Sequence, residues 1–190
     1  MRGVSAALLL LFLATGAGGA AHAPDAESPG APVTEPADPC SGFSWDVTHE
    51  RALFREVPQK ITAGASPGDA PAISPDRLYE LALVPRSQVR FAATPGKSRS
   101  AEGHAGLATL SVTAAGVYRI ALDQPYWVDV IAKGSLIPSR DFQGRAGCRA
   151  PHKVVEFALP SSTPLTLQFS AGDAPTLRVA VLMAPPPREP

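Results

Sequence analysis

The chain contains no asparagine, only two cysteines, and four lysines against 13 arginines. The absence of asparagine excludes N-glycosylation sequons, which require that residue. Basic and acidic residues are equal in number, 17 of each, so neither nucleic acid nor an anionic membrane is expected as the main partner. After residue 23 no apolar run is long enough to cross a bilayer, so no transmembrane anchor is predicted.

The first 23 residues have the organisation of a secretory signal peptide. Arg2 provides the positive charge, residues 4–14 form an apolar run, and small residues follow. Without residues 1–23 the chain carries 16 basic and 17 acidic residues, which is a net charge of −1. We expect cleavage near residues 20–23 and export to the periplasm or the extracellular space. The abundance of alanine, proline and arginine favours a bacterial origin.

Proline-rich segments flank a single predicted domain. Residues 24–39 are acidic and contain no aromatic residue, so they are predicted to be a disordered lead. Residues 184–190 form a second segment of this kind, predicted to be a disordered tail. The folded domain is expected to span residues 40–183, a length typical of one domain.

Apolar and polar residues alternate over much of this domain, which is the pattern of half-buried strands. The clearest stretch, residues 108–133, predicts three consecutive strands, whereas residues 134–151 are predicted to be irregular. The other predicted strands are 77–84, 88–93, 152–159, 164–170 and 175–183. About eight short strands separated by turns predict a mainly β, antiparallel β-sandwich or jelly-roll-like domain.

One helix is predicted at the start of the domain, over residues 44–56. Ser44 is the expected N-cap residue. The apolar spacing places Trp45 against the sheet, whereas His49 and Glu50 are expected to face water.

A turn at residues 123–125 predicts a hairpin within the 108–133 stretch. In the favoured register Arg119 lies opposite Asp129 as a cross-strand ion pair. The face that carries this pair also includes Trp127 and is half apolar, so it needs a cover or a ligand. The helix is the expected cover, and a ligand stacked on Trp127, as sugars stack on aromatic rings, is the alternative.

The two cysteines, Cys40 and Cys148, are predicted to form a disulfide, because an even number of cysteines in an oxidising compartment favours pairing. A redox-active or metal-binding thiol is the alternative. The sequence contains no Cys-x-x-Cys motif, so the structural bridge is favoured.

Small jelly rolls include cupin-type oxygenases, whose metal sites use clustered histidines and a glutamate. The histidines here are single and widely spaced, so no metal or other cofactor is predicted. A site built from His49, His152 and Glu156 is the alternative, and it would make the protein a small metal-dependent, cupin-like dioxygenase. No nucleophile–base pair is recognisable, and the sequence favours a protein that is not an enzyme.

Two stretches carry a resemblance to known proteins. The sequence Cys40-Ser-Gly-Phe-Ser-Trp-Asp, with the strands that contain Tyr118 and Trp127, resembles a family of exported bacterial proteins with an N-terminal Cys-x-x-Phe-x-Trp-Asp motif. This resemblance implies export and a single domain, and it implies no particular activity. The Gly116-Val-Tyr118 strand is similar to pre-peptidase C-terminal-type β-sandwich domains, which accompany secreted enzymes.

These patterns together predict a non-catalytic binding or structural module of the cell envelope. A saccharide or another envelope component is the partner to test first, because two tryptophans lie in the predicted domain. The residues expected to bind it are Trp127, Arg119, Asp129 and Trp45.

Overall fold

The computed structural model describes residues 38–97 and 102–186. The predicted signal peptide, the proline-rich lead before residue 38 and the last four residues lie outside these ranges. The described residues form two packed β-sheets and one short helix, which confirms the predicted mainly β, sandwich-like fold.

Twelve strands are found among the described residues, compared with the predicted eight or so. They are β1 (Gln59–Thr62), β2 (Ala72–Ile73), β3 (Leu78–Ala82), β4 (Val84–Pro85), β5 (His104–Leu110), β6 (Gly116–Leu122), β7 (Trp127–Ala132), β8 (Ser135–Ile137), β9 (Ser139–Gly144), β10 (Lys153–Leu159), β11 (Leu165–Gly172) and β12 (Thr176–Met183). Helix α1 spans Thr48–Leu53, and a 3₁₀ turn spans Arg86–Gln88.

The strands form two six-stranded sheets. Sheet A has the order β1-β3-β12-β6-β10-β9, and sheet B has the order β2-β5-β11-β7-β8, with β4 paired to β5. The pairs β1–β3 and β2–β5 are parallel, whereas the other pairs are antiparallel. Both sheets are therefore mixed, not purely antiparallel as predicted.

The main core lies between the sheets and accounts for the alternating sequence pattern. In β6 the side chains of Tyr118 and Leu122 enter this core, and in β7 those of Val128 and Val130 do so. The Tyr118 hydroxyl also donates a hydrogen bond to the Ala114 carbonyl oxygen at 3.0 Å. This bond fixes the start of β6 as a tyrosine corner does in immunoglobulin-like sandwiches.

The predicted hairpin between β6 and β7 is wrong. These strands belong to different sheets, because the chain crosses from sheet A to sheet B between them. Arg119 therefore lies opposite Glu156 in β10, and Asp129 lies opposite Gln168 in β11. The alternating pattern is the same for a hairpin within one sheet and for a connection between two sheets. In both cases every second residue of each strand enters the core, so the sequence could not distinguish them.

The predictions for the connecting regions also need correction. Residues 88–93, predicted to be a strand, follow the 3₁₀ turn and cross the outer face of sheet B. There the Gln168 side chain donates to the Ala93 carbonyl (3.1 Å) and accepts from the Ala93 N–H (3.3 Å). Residues 134–151, predicted to be irregular, contain β8 and β9. Strand β9 is an edge strand exposed at five of its six positions, so its sequence lacks alternation.

Residues 38–57, here called the N-terminal segment, cover the outer face of sheet A. The buried side chains of Val47, Leu53 and Phe54 pack against Ala121 and Ala180 of the sheet and form a second, smaller core. The N-terminal helical region thus covers the Arg119 part of the predicted face, as expected. The prediction is wrong for Trp127, which lies on sheet B.

The attachment of the N-terminal segment differs from the prediction in one respect. Helix α1 is shorter than expected, its N-cap residue is Val47, and the N–H of its first residue, Thr48, donates to Asp46 Oδ1 at 3.0 Å. Instead of capping the helix, Ser44 donates its backbone N–H (2.9 Å) and its hydroxyl (3.4 Å) to Oε1 of Gln143 in β9. The predicted disulfide between Cys40 and Cys148 is confirmed, and it joins residues 108 positions apart. Both links fasten the segment to β9 and the loop that follows it.

Candidate functional site

The four residues predicted to bind a ligand form two separate pairs. Arg119 and Trp45 meet on the outer face of sheet A, and Trp127 and Asp129 meet on sheet B. The predicted single site containing all four side chains is therefore not assembled.

Arg119 is the centre of the sheet A cluster. Its Nε donates to Glu156 Oε1 at 2.9 Å, and its Nη1 donates to Glu50 Oε1 at 3.2 Å and to the Asp46 carbonyl oxygen at 2.8 Å. Its guanidinium carbon lies 4.7 Å from the centroid of the Trp45 ring, which is a cation–π contact. Strand β6 and the N-terminal segment are thus joined through one side chain.

Glu50 is the member of this cluster that sequence reasoning misplaced. It was expected to face water, yet it is 1% exposed, and Arg119 is 5% exposed. A buried carboxylate requires a cation and hydrogen bonds, and Arg119 supplies both. Helical spacing could have indicated the burial of Glu50, because this residue shares a helix face with the buried residues Val47 and Phe54.

An open cleft of about 500 Å³ lies beside the cluster. Its walls come from the N-terminal segment, β6, β9, β10 and the chain after β12, and they include Trp45, Asp46, Arg119, Arg140, Glu156 and Pro185. This volume is within the range of pockets that bind small ligands. The cleft combines an aromatic ring with charged hydrogen-bond donors and acceptors.

The two guanidinium groups of the cleft differ in how they are neutralised. Arg119 is bonded to two carboxylates, those of Glu50 and Glu156. Arg140 is exposed on edge strand β9, and it forms no ion pair within residues 38–97 and 102–186. Arg140 therefore offers N–H groups to a ligand, whereas Arg119 mainly positions Trp45.

On sheet B, Trp127 and Asp129 are bonded to each other. The indole Nε1 donates to Asp129 Oδ1 at 2.7 Å. Asp129 Oδ2 accepts hydrogen bonds from Gln168 Nε2 at 3.0 Å and from the Gly96 N–H at 3.1 Å. The face around Trp127 is therefore covered by the loop that includes Gly96, not by the predicted helix.

Two lysines approach the Trp127 ring. Lys153 Nζ lies 5.1 Å and Lys97 Nζ lies 5.8 Å from its centroid. Lys153 also donates a hydrogen bond to the Tyr126 carbonyl oxygen at 3.3 Å. Burial lowers the pKa of Lys153, and the charge of Lys97 lowers it further, whereas Asp129 opposes both effects.

The alternative metal site is not brought together. The imidazole of His49 lies 3.8 Å from the Asp76 carboxylate, Glu156 is bonded to Arg119, and His152 precedes β10. No group of three or more His, Cys, Asp and Glu side chains in the described part of the chain could hold a metal ion. The alternative set of His49, His152 and Glu156 is therefore not assembled as a metal site in the described residues.

No family model matches this chain, and no curated protein matches it in sequence. In the described ranges no helix is long and apolar enough to span a membrane.

Proposed function

We propose that this protein is an exported, non-catalytic binding module of the cell envelope, and that it binds a saccharide in the cleft on sheet A. The observation that carries the proposal is the half-buried Trp45 ring, which forms part of the cleft wall and is held against Arg119. A rigid aromatic surface beside charged hydrogen-bonding groups suits the apolar C–H face and the hydroxyl rim of a sugar.

The position of Trp45 is fixed before any ligand arrives. Its backbone N–H points to Gln143 Oε1 at 3.4 Å, and its side chain contacts the smaller core of the N-terminal segment. A side chain that is already ordered loses little conformational entropy on binding, and this favours affinity.

The charges of the cleft wall also fit a polyhydroxylated ligand. The wall carries Arg119 and Arg140 beside Asp46 and Glu156, and Glu50 is bonded to Arg119 beneath the wall. A hydroxyl group both donates and accepts hydrogen bonds, so it can bridge guanidinium N–H groups and carboxylate oxygens.

The disulfide supports the envelope as the place of action. Cys40 lies five positions before Trp45, so the bond holds the binding residue close to the sandwich. Stable disulfides form in oxidising compartments such as the periplasm and the extracellular space.

The test is calorimetric titration of the purified protein with uncharged oligosaccharides, namely chitooligosaccharides of increasing length. We expect Trp45→Ala to weaken binding at least about tenfold, as truncation of a central aromatic contact does. Leu136→Ala is the matched control, because Leu136 is 45% exposed on the edge of sheet B, away from the cleft. Failure of the whole panel to bind, or unchanged binding by Trp45→Ala, would contradict the proposal.

A further inference from the structure

Two positively charged groups lie close to the Trp127 ring, and neither is in an ion pair within the described ranges. Lys97 and Lys153 both lie within cation–π distance of its ring. Like charges that converge on one ring repel each other, and an anion placed between them would remove that repulsion.

Asp129 is near both lysines, but its oxygens are already used. One oxygen accepts from the Trp127 indole, and the other accepts from Gln168 and from the backbone of Gly96. Asp129 therefore holds Trp127 and the covering loop in place. With two lysines and one carboxylate, the region keeps an excess of one positive charge.

A small recess opens beside Lys153 at the edge of the sandwich, and Lys97 approaches it through the Trp127 ring, which forms part of its wall. Its volume is about 40 Å³, and its walls are formed by Trp127, Val128, Ser139, Phe142, Lys153 and Val155. Phe142 is 63% exposed, and Lys153 Nζ lies 5.7 Å from its ring centroid. The recess exceeds the space that one water needs but is small for a sugar ring, so it suits a group the size of a carboxylate.

We propose that Lys97, Lys153, Trp127 and Phe142 form a binding site for a small organic anion with an apolar or aromatic body. The ammonium groups would bind the carboxylate or phosphate, and the exposed ring of Phe142 would contact the body of the ligand. The site is separate from the cleft on sheet A, so its test is independent of the test of the saccharide proposal.

The protonation of Lys153 is consistent with such a ligand. Burial lowers its pKa because water is excluded from the ammonium group, and Lys97 adds to this effect. A bound anion would favour the charged form of Lys153, so binding should be accompanied by proton uptake in alkaline solution.

The test compares probes of equal shape and different charge on the purified protein. Benzoate and phenyl phosphate carry the anionic groups, and benzamide is the neutral counterpart of benzoate. The readout is the NMR signal of the Trp127 indole N–H, assigned by comparison with Trp45→Phe. We expect saturable shifts with an anion and none with benzamide. Comparison of the dissociation constants of benzoate and phenyl phosphate shows whether the site prefers carboxylate or phosphate.

Variants identify the residues responsible. Lys153→Met should weaken anion binding about tenfold or more, because a charge-assisted hydrogen bond is lost. Lys153→Arg keeps the charge and should retain most of the binding, and Lys60→Met is the control on a distant strand. Circular dichroism checks that each variant is folded. Equal shifts with benzamide, unchanged binding by a folded Lys153→Met, or no saturable shift with either anion would overturn the proposal.

Discussion

Arg119 and Glu50, which are 69 positions apart in the chain, form a buried ion pair between β6 and α1, with 3.2 Å between Nη1 and Oε1. The same guanidinium is bonded to Glu156 and stacks on Trp45. One side chain thus connects the folding of the N-terminal segment with the geometry of the cleft.

The first prediction concerns this pair. Arg119→Met should lower the free energy of unfolding by about 3–5 kcal/mol, because it leaves a buried carboxylate without a cation. Lys60→Met removes the partner of Glu80 in an ion pair whose lysine side chain is 79% exposed, and it should cost less than about 1 kcal/mol. Urea unfolding of both variants gives the comparison, and equal losses would show that the Arg119 network adds no particular stability.

The second prediction concerns the disulfide. Replacing both Cys40 and Cys148 with alanine should lower the free energy of unfolding by about 4–5 kcal/mol, because a loop of this length is no longer closed in the unfolded chain. Urea unfolding measures the loss, and the parent protein under reducing conditions is the control. Equal stability of the oxidised and reduced parent proteins would argue against a stabilising bridge.

The third prediction concerns packing at the end of β11. A Cβ atom at Gly172 would overlap the ring of Tyr126, which is 1% exposed and whose hydroxyl donates to the Ala174 carbonyl oxygen. Gly172→Ala should therefore destabilise the protein by about 1–3 kcal/mol through overpacking. Gly68→Ala is the matched control, because a Cβ atom there meets nothing within 4 Å. Similar melting temperatures of the two variants would contradict this reason for glycine at position 172.

The fourth prediction concerns the ionisation of Lys153. Lys97→Gln should raise the pKa of Lys153 by removing a nearby positive charge, and Asp129→Asn should lower it by removing a negative one. NMR titration of ¹³C-methylated lysines measures both shifts. If neither substitution moves the titration of Lys153, these charges do not act on it.

The lowered pKa also has a consequence for stability. Between the folded-state and unfolded-state pKa values of Lys153, the unfolded chain binds more protons than the folded chain does. The contribution of Lys153 to the free energy of unfolding therefore rises with pH across that window, which ends near the ordinary value for lysine. Lys153→Met should flatten this part of the stability profile.

Sequence patterns predicted the strands that contribute every second residue to the main core, as β6, β10 and β12 do. In β6 and β12 part of the other face is buried as well, since the smaller core covers it. Strand β9 was missed, because at the sheet edge nearly all its side chains are exposed. Partner strands were not predictable for β6 and β7, because pairing depends on where the chain crosses between the sheets.

The candidate sites were predicted only in part. Arg119 and Trp45 were predicted to share a site with Trp127 and Asp129, and only the first two meet on sheet A, whereas Glu50 was assigned to the surface. The charge of buried Glu50 is neutralised by Arg119 of β6, and the sequence around residue 50 does not indicate which residue that partner is. The lysines near Trp127 were missed for the same reason, because Lys97 and Lys153 come from distant parts of the chain.

The separation of the two cores has a consequence for how this scaffold can be altered. The main core is completed by side chains of the two sheets, whereas Trp45 and most of the smaller core's cover belong to residues 38–57. Part of the wall of the proposed binding cleft therefore lies in one short segment that Arg119 and Cys148 attach to the sandwich. Exchange of residues 38–57 for another segment of the same length, with both attachment points kept, would change that wall without changing a side chain of the main core.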